Sequence, residues 1–304
     1  MVFTFLFEIH LLCLLPSSFA DPLRQGSLNL FGFDSGRILA LVVVLALGVY
    51  AAVCILLYVF QSRLVYVPDR KIVGSPAEIG LSYQDVELIS ADGVRLSGWW
   101  VPQKESRGVL LFCNGNSGNI SHLLGRIATY RDLGLSILVF DYRGFGASGG
   151  KPTEEGTYLD VEAAWNYLVE EREIAPEKIL VYGWSLGGPI AAWLAQRHSP
   201  AKLVLESTFT SLPDLAQQIY PLLPNRLLAR FEYNTLDYLS RVRCPILVVH
   251  SREDRLIPFA HGQQLYQAFN GPRTILEIEG EHGDGFSLSE QHYKETLGAF
   301  ILDL

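Results

Sequence analysis

The chain has 304 residues, 49% of them hydrophobic and 18% charged, with a formal net charge of −8. That length holds one large α/β domain plus an appendage, and the negative balance, with no run of Lys and Arg, excludes a basic nucleic-acid footprint. The four cysteines form neither a disulfide framework nor a metal-ligand spacing, and the seven histidines contain no His-x-x-x-His pair, so no metal and no cofactor is expected.

Residues 1–20 are apolar and end in Pro16-Ser17-Ser18-Phe19-Ala20, which resembles a small-residue cleavage site. No Lys or Arg precedes the apolar stretch, and Glu8 and His10 interrupt it, whereas a signal peptide begins with positive charge. A cleaved leader and an uncleaved extension therefore both stay open. Residues 21–36 are polar with Gly and Ser and read as a linker, so 1–37 form an N-terminal extension. Ile38–Phe60 has no charge and lies between Arg37 and Arg63. About 20 such residues in a helix cross a ~30 Å hydrocarbon core, and a buried core helix rarely carries an apolar face all round. The stretch predicts a single transmembrane helix. Arg24 and Arg37 before it, against Arg63, Arg70 and Lys71 after it, lean toward a cytoplasmic C-terminal domain by one charge, which does not settle the side.

Residues 61–304 read as one domain. Gln84–Ser90 and Val94–Val101 alternate around Ala91-Asp92-Gly93, a hairpin signal. Short apolar runs follow at Gly108–Cys113, Leu135–Phe140, Lys178–Tyr182, Lys202–Leu205 and Pro245–Val249, with a last strand at Arg273–Ile278. Helical patterns fall between and after them, at 120–133, 155–173, 189–197, 260–269 and 287–302. Repeated βα units predict an α/β fold with a mostly parallel sheet covered on both faces. Residues 210–242, rich in Leu and Pro, break that rhythm and predict a helical cap inserted between two strands; an ordinary longer connection is the plainer alternative.

In such a sheet, ligands bind beyond the carboxyl ends of the strands. Three of those ends carry the chemistry. After Lys178–Tyr182 comes Gly183-Trp184-Ser185-Leu186-Gly187-Gly188, a Gly-x-Ser-x-Gly turn opening a helix. This is the setting of a nucleophile elbow, where small residues allow the tight turn and the serine hydroxyl stands clear of the sheet. A serine hydroxyl needs a base, and the base needs a carboxylate to orient it. Asp254 and His282 follow later strands in the order Ser, acid, His. Glu253 and Glu206 stand as alternative acids, and His250, directly after its strand, reads as a locally bonded residue. The loop Asn114–Asn119 is the second source of an oxyanion hole: the amides of Leu186 and Asn116 are the candidate donors. Gly144-Phe145-Gly146-Ala147-Ser148-Gly149 matches a dinucleotide fingerprint, but Gly150-Lys151-Pro152-Thr153 delays the helix, so it reads as a structural turn that an Asp141–Arg143 ion pair could hold.

Together, Asn116-Ser117-Gly118-Asn119, Asp141-Tyr142-Arg143-Gly144-Phe145-Gly146, Gly183–Gly188, Glu206-Ser207-Thr208-Phe209 and the Asp254/His282 pair resemble the α/β-hydrolase superfamily. The nearest group is the membrane-anchored ABHD-type serine hydrolases, related to serine aminopeptidase-like and acyl-protein thioesterase-like enzymes. Phe60–Pro68 resembles that group as well, so the likeness runs from about residue 60 to the end. It implies hydrolysis of an ester, a thioester or a lipid acyl chain by Ser185, Asp254 and His282, with Asn116 and Leu186 at the oxyanion; a peptidase, or a catalytically silent membrane-tethered binding module, are the other readings. The implied partners are a membrane and an acyl-containing small molecule, lipid or lipidated substrate. One departure stands out: the family usually has His-Gly before the oxyanion Asn, where this chain has Asn114-Gly115.

Overall fold

The computed structural model describes residues 35–302 and 304, so the leader-like segment and most of the linker lie outside the described residues. The uncharged stretch lies within one helix, α1 (Ser35–Val65), which extends past it at both ends. No proline interrupts the ladder until Pro68, so the helix continues past Phe60. Its most apolar 18-residue window has a mean hydropathy of 3.0 and is only 6% buried, which makes α1 a candidate membrane span. The chain divides into two compact units after Ala51, and the second, Ala52–Leu304, holds the end of α1 and every strand.

The strands are β1 (Val67–Pro68), β2 (Gln84–Ile89), β3 (Arg95–Val101), β4 (Gly108–Cys113), β5 (Ser117–Gly118), β6 (Leu135–Phe140), β7 (Ile179–Trp184), β8 (Lys202–Glu206), β9 (Ile246–Ser251) and β10 (Arg273–Ile278). The helices after α1 are α2 (Leu124–Asp132), α3 (Glu154–Asn166), α4 (Gly187–Arg197), α5 (Leu212–Ile219), α6 (Asn225–Leu228), α7 (Thr235–Leu239), α8 (Phe259–Ala268), α9 (Gly285–Leu288) and α10 (Glu290–Phe300). Eight strands form one sheet in the order β10-β9-β8-β7-β4-β6-β3-β2. Pairing is parallel from β10 to β6, while β3 is antiparallel to both β6 and β2. From β4 the chain passes to β6 on one side and then, through α3, to β7 on the other, so the strand order reverses at β4 and a crevice opens at the carboxyl ends of β4 and β7. The parallel strands β4, β6, β8 and β9 are buried at every residue, which is why they read as unbroken apolar runs.

Alternate residues feed two cores. Val109, Leu111, Val181 and Leu205 pack with α3, α4 and α8 on one face. Leu110, Phe112, Leu180 and Val204 pack with α2 and α10 on the other. Each such side chain contributes roughly 1.5–3 kcal/mol by leaving water, so Leu111→Ala at the sheet centre would cost about 2–5 kcal/mol.

The predicted hairpin is the β2–β3 turn, with Gly93 at φ 83° and Ile89 paired to Arg95. The pattern over 120–133 resolves into a 3₁₀ turn (Ile120–Leu123) and then α2, capped by Asn119 Oδ1 accepting from the Ser121 amide at 2.9 Å. The last helical pattern is split, because Ser289 Oγ accepts from the Glu279 amide at 2.8 Å and the ladder breaks between α9 and α10. Residues 210–242 hold three short helices, α5, α6 and α7.

The Gly144–Gly149 segment is a turn, closed by the Gly144 amide donating to the Gly149 carbonyl at 2.7 Å. The expected Asp141–Arg143 pair does not form. Arg143 donates from Nη2 to Asp160 at 2.7 Å and from Nη1 to Asp92 at 2.7 Å, joining the hairpin turn to α3. Asp141 points the other way, accepting from the Ile120 amide at 2.9 Å. Neighbours two apart on an extended chain face the same side only while the strand continues, and here the chain has already left β6.

Candidate active site

Ser185 sits where β7 turns into α4, with φ at 54°, a conformation that costs a non-glycine residue about 1–3 kcal/mol. Close packing explains the glycines around it. A Cβ on Gly183 would lie 2.3 Å from the Gly187 carbonyl oxygen, and one on Gly187 would lie 2.0 Å from the Cys113 carbonyl oxygen. One on Gly188 would meet the Thr208 hydroxyl at 2.1 Å. The elbow therefore rests on the end of β4 and on the segment after β8. Two bonds hold its strained residue: the Ser185 amide donates to the Glu206 carbonyl at 2.9 Å, and Thr208 Oγ1 donates to the Ser185 carbonyl at 2.7 Å.

The structure brings Ser185, His282 and Asp254 into one hydrogen-bonded line. His282 Nε2 is 2.9 Å from Ser185 Oγ, and His282 Nδ1 is 2.7 Å from Asp254 Oδ2. Asp254 is buried, and its Oδ1 accepts from the amides of Leu256 (2.9 Å) and Ile257 (2.8 Å). With the carboxylate as acceptor, Nδ1 is assigned the proton and Nε2 is left to accept from the serine hydroxyl. The other two acids point elsewhere. Glu253 Oε2 accepts from the Gly280 amide at 3.0 Å, tying the loop that carries His282. Glu206 is buried against Arg126, at 2.6 Å from Nη2 and 3.1 Å from Nη1, and also accepts from the hydroxyls of Tyr293 and Tyr182. His250 bonds locally, with Nε2 2.8 Å from the Ile257 carbonyl, and burial pushes its pKa below the usual histidine value. It stays neutral 3.7 Å from Asp254 and does not compete for it.

The candidate oxyanion donors flank Ser185. Among the described residues, neither the Leu186 amide nor the Asn116 amide donates to a protein acceptor. The loop lies close to the serine: a Cβ on Gly115 would stand 3.6 Å from Ser185 Cβ. Asn116 is pinned from behind, its Nδ2 donating to the Val65 carbonyl at 2.9 Å and its carbonyl accepting from the Val67 amide at 2.8 Å. Asn114 is buried outside the hydrogen-bonded line, and its Oδ1 has no partner among the described residues.

Residues 108–237 match the model of the family described as the alpha/beta hydrolase fold. An Arabidopsis thaliana protein, alpha/beta hydrolase domain-containing protein WAV2, is 33% identical over 282 residues, covering 84% of this chain and 91% of its own. The chain belongs to the α/β-hydrolase superfamily. It is also 35% identical over 270 residues to an uncharacterized Mycobacterium tuberculosis protein, covering 88% of this chain and 96% of that one. Among solved structures, the Pyrococcus furiosus esterase Pf2001 shares the fold with a TM-score of 0.66, over 77% of this chain and 98% of its own, at 23% identity.

Within this α/β-hydrolase, the wall beside His282 is what sequence reading missed. The Trp184 ring stacks on His282 with centroids 5.9 Å apart, and the Arg126 guanidinium lies 4.9 Å from the Trp184 ring and 4.4 Å from the Phe286 ring. Burial is the largest single influence and disfavours the Arg126 charge, but the attraction and hydrogen bond of Glu206, together with Tyr130 and Tyr293, hold its pKa above the usual arginine value. Trp184, Arg126 and Phe286 line a cavity of about 270 Å³ together with Asn114, Ser117 and Gly283. Trp184 was visible as the x of the elbow motif. Arg126 was not, because an arginine in an amphipathic helix reads as its solvent face.

Proposed function

We propose that this α/β-hydrolase is a single-pass, membrane-anchored serine hydrolase, with residues 38–60 as the anchor, 61–304 as the hydrolase domain and 210–242 as its cap. The reading is carried by one observation: a serine on a strained elbow, 2.9 Å from a histidine that is itself 2.7 Å from a buried aspartate. Ser185 Oγ attacks an acyl carbonyl while His282 Nε2 takes its proton. Asp254 orients the ring and stabilises its cation. The oxyanion that forms receives the Leu186 and Asn116 amides, donors of a kind whose loss costs about 3–4 kcal/mol of barrier. His282 then protonates the leaving group, and water, activated by the same ring, cleaves the acyl-enzyme. The bond class that fits is an ester, a thioester or a lipid acyl bond, and the apolar span favours a lipid or lipidated substrate.

The test is a fluorophosphonate probe on the full chain. Wild type is expected to label and Ser185→Ala to stay unlabelled. A folded protein that neither labels nor hydrolyses p-nitrophenyl or thioester acyl substrates of any chain length overturns the reading. That result would favour the catalytically silent binding module, for which the replacement of histidine by Asn114 is the one supporting feature. Cleavage of peptides in place of acyl esters would move the activity to a peptidase with the same three residues.

A further inference from the structure

The chain that leaves α1 at Val65 does not trail away as a linker. It runs along the loop that carries Asn116. β1 (Val67–Pro68) pairs in parallel with β5 (Ser117–Gly118), Val67 opposite Ser117 and Pro68 opposite Gly118. The Val67 amide donates to the Asn116 carbonyl at 2.8 Å, and the Asp69 amide donates to the Gly118 carbonyl at 3.0 Å. Pro68 has no N–H and falls between these two donors, at the position where the pairing asks for none.

Side chains complete the strap. Asn116 Nδ2 donates to the Val65 carbonyl at 2.9 Å, and Asn119 Nδ2 donates to the carbonyls of Asp69 (3.1 Å) and Lys71 (2.8 Å). The strap is in turn fixed to the Gly144–Gly149 turn. There the Gly146 amide donates to the Asp69 carbonyl at 2.9 Å, and Arg70 Nη1 donates to the Ser148 carbonyl at 2.6 Å.

The loop needs such support. β4 ends at Cys113, so the eight-stranded sheet stops short of Asn116. Toward the elbow the loop makes close contact, since a Cβ on Gly115 would lie 3.3 Å from the Trp184 ring and 3.6 Å from Ser185 Cβ. An oxyanion donor is effective because it is already in place when the charge develops, and a misplacement of about 1 Å costs on the order of 10²-fold in rate. Asn116 has its carbonyl and its side-chain amide tied to the strap, which leaves its backbone N–H without a protein acceptor among the described residues.

We infer that Val65–Lys71 is a positioning element for the oxyanion hole: the segment that leaves the apolar helix holds the Asn116 amide where the developing oxyanion requires it. The inference rests on the serine-hydrolase reading, with Asn116 as an oxyanion donor. It gives the Phe60–Pro68 stretch a part in the chemistry that its distance in sequence from Ser185 conceals. A domain beginning after Lys71 would keep Ser185, Asp254 and His282 and lose the support of the donor.

The experiment uses the full chain in detergent, with a p-nitrophenyl acyl ester as the probe. Val67→Pro deletes the N–H that bonds Asn116, while Val67→Ala keeps it and trims an exposed side chain. Asn116→Leu deletes the side-chain donor to Val65 at similar size. In Val67→Pro and Asn116→Leu, kcat is expected to fall about 10- to 100-fold with KM within about threefold of wild type, because the lost stabilisation belongs to the transition state. Val67→Ala is expected to stay within about twofold in both. Thermal midpoints check that each variant is folded. Wild-type kcat in a folded Val67→Pro overturns the inference, and the triad reading survives as long as wild type labels with fluorophosphonate at Ser185. Should Val67→Pro fail to fold, Asn116→Leu decides in the same way. An equal loss in Val67→Ala overturns the inference by tracing the effect to side-chain bulk, and a loss carried by KM overturns it by moving the strap to substrate binding. If wild type neither labels nor turns over, the hydrolase reading falls and this inference with it.

Discussion

Two carboxylates end adjacent strands of the sheet and lead opposite lives. Asp254, past β9, meets an imidazole whose far nitrogen reaches Ser185 in the crevice. Glu206, the last residue of β8, meets the Arg126 guanidinium through two bonds and is sealed by Tyr182 and Tyr293. An imidazole gains and loses a proton near neutral pH, whereas a guanidinium never does. The first pair can move a proton; the second can only hold a position. It holds the one that matters to the first, since Arg126 stacks on Trp184 and Trp184 stacks on His282. An acid at a strand end is thus assigned to chemistry or to architecture by its partner.

That contrast can be broken by substitution. Ser185→Ala or His282→Ala is expected to lower acyl hydrolysis by about 10⁶-fold, and Asp254→Asn by about 10⁴-fold. Steady-state kinetics on a p-nitrophenyl ester reads both, and the thermal midpoints should stay close to wild type. Glu206→Gln should do the reverse. It leaves the buried Arg126 without a counter-charge and is expected to cost about 3–5 kcal/mol in a denaturant melt, with the rate per folded molecule within about tenfold of wild type. A stable Glu206→Gln protein that has lost its activity would place Glu206 in the chemistry and erase the distinction.

Asp141 sharpens the comparison as a buried carboxyl that forms no ion pair among the described residues. Burial raises its pKa from 3.8 to about 7, against the Ile120 amide and the more distant Arg70 charge, which lower it. A carboxyl with a raised folded-state pKa binds its proton more tightly folded than unfolded. Below the unfolded value of 3.8 the neutral form carries no penalty; as pH rises toward about 7, stability falls by up to about 4 kcal/mol and then levels off. Asp141→Asn is expected to flatten that slope, read from urea midpoints at about pH 4.5 and about pH 8. An unchanged slope would remove Asp141 as its source. The smallest effect is expected at Glu253, which only tethers the His282 loop through the Gly280 amide. Glu253→Gln should change the rate by less than about tenfold, since one such bond is worth about 1 kcal/mol.

The period-two and apolar-run signals located the strands of the sheet to within a residue or two, because strand burial and side-chain alternation are properties of consecutive residues. Helix ends were less legible. The break at Ser289 depends on a bond to Glu279, ten residues back, and the π turn that continues α3 over Tyr167–Glu171 has no local cue. Gly144–Gly149 is legible as a turn, but the partner of Arg143 is not: Asp160 lies 17 residues away on α3, and Asp141 is the nearer acid in the sequence.

By itself, then, the sequence determined the α/β architecture, the apolar span and the shortlist of chemical residues at the strand ends. The elbow belongs with these, since a Gly-x-Ser-x-Gly turn after a strand is a local steric requirement. Only the tertiary structure decided which of three acids faces His282, that Asn114 lies off the hydrogen-bonded line, that Arg126 lies against Trp184, and that Leu228 and Arg230 bond to Gln61 at the end of α1. Those outcomes depend on contacts between residues 28, 80, 97 and 167 positions apart. Sheet register and helix packing set such distances, and no local pattern encodes them.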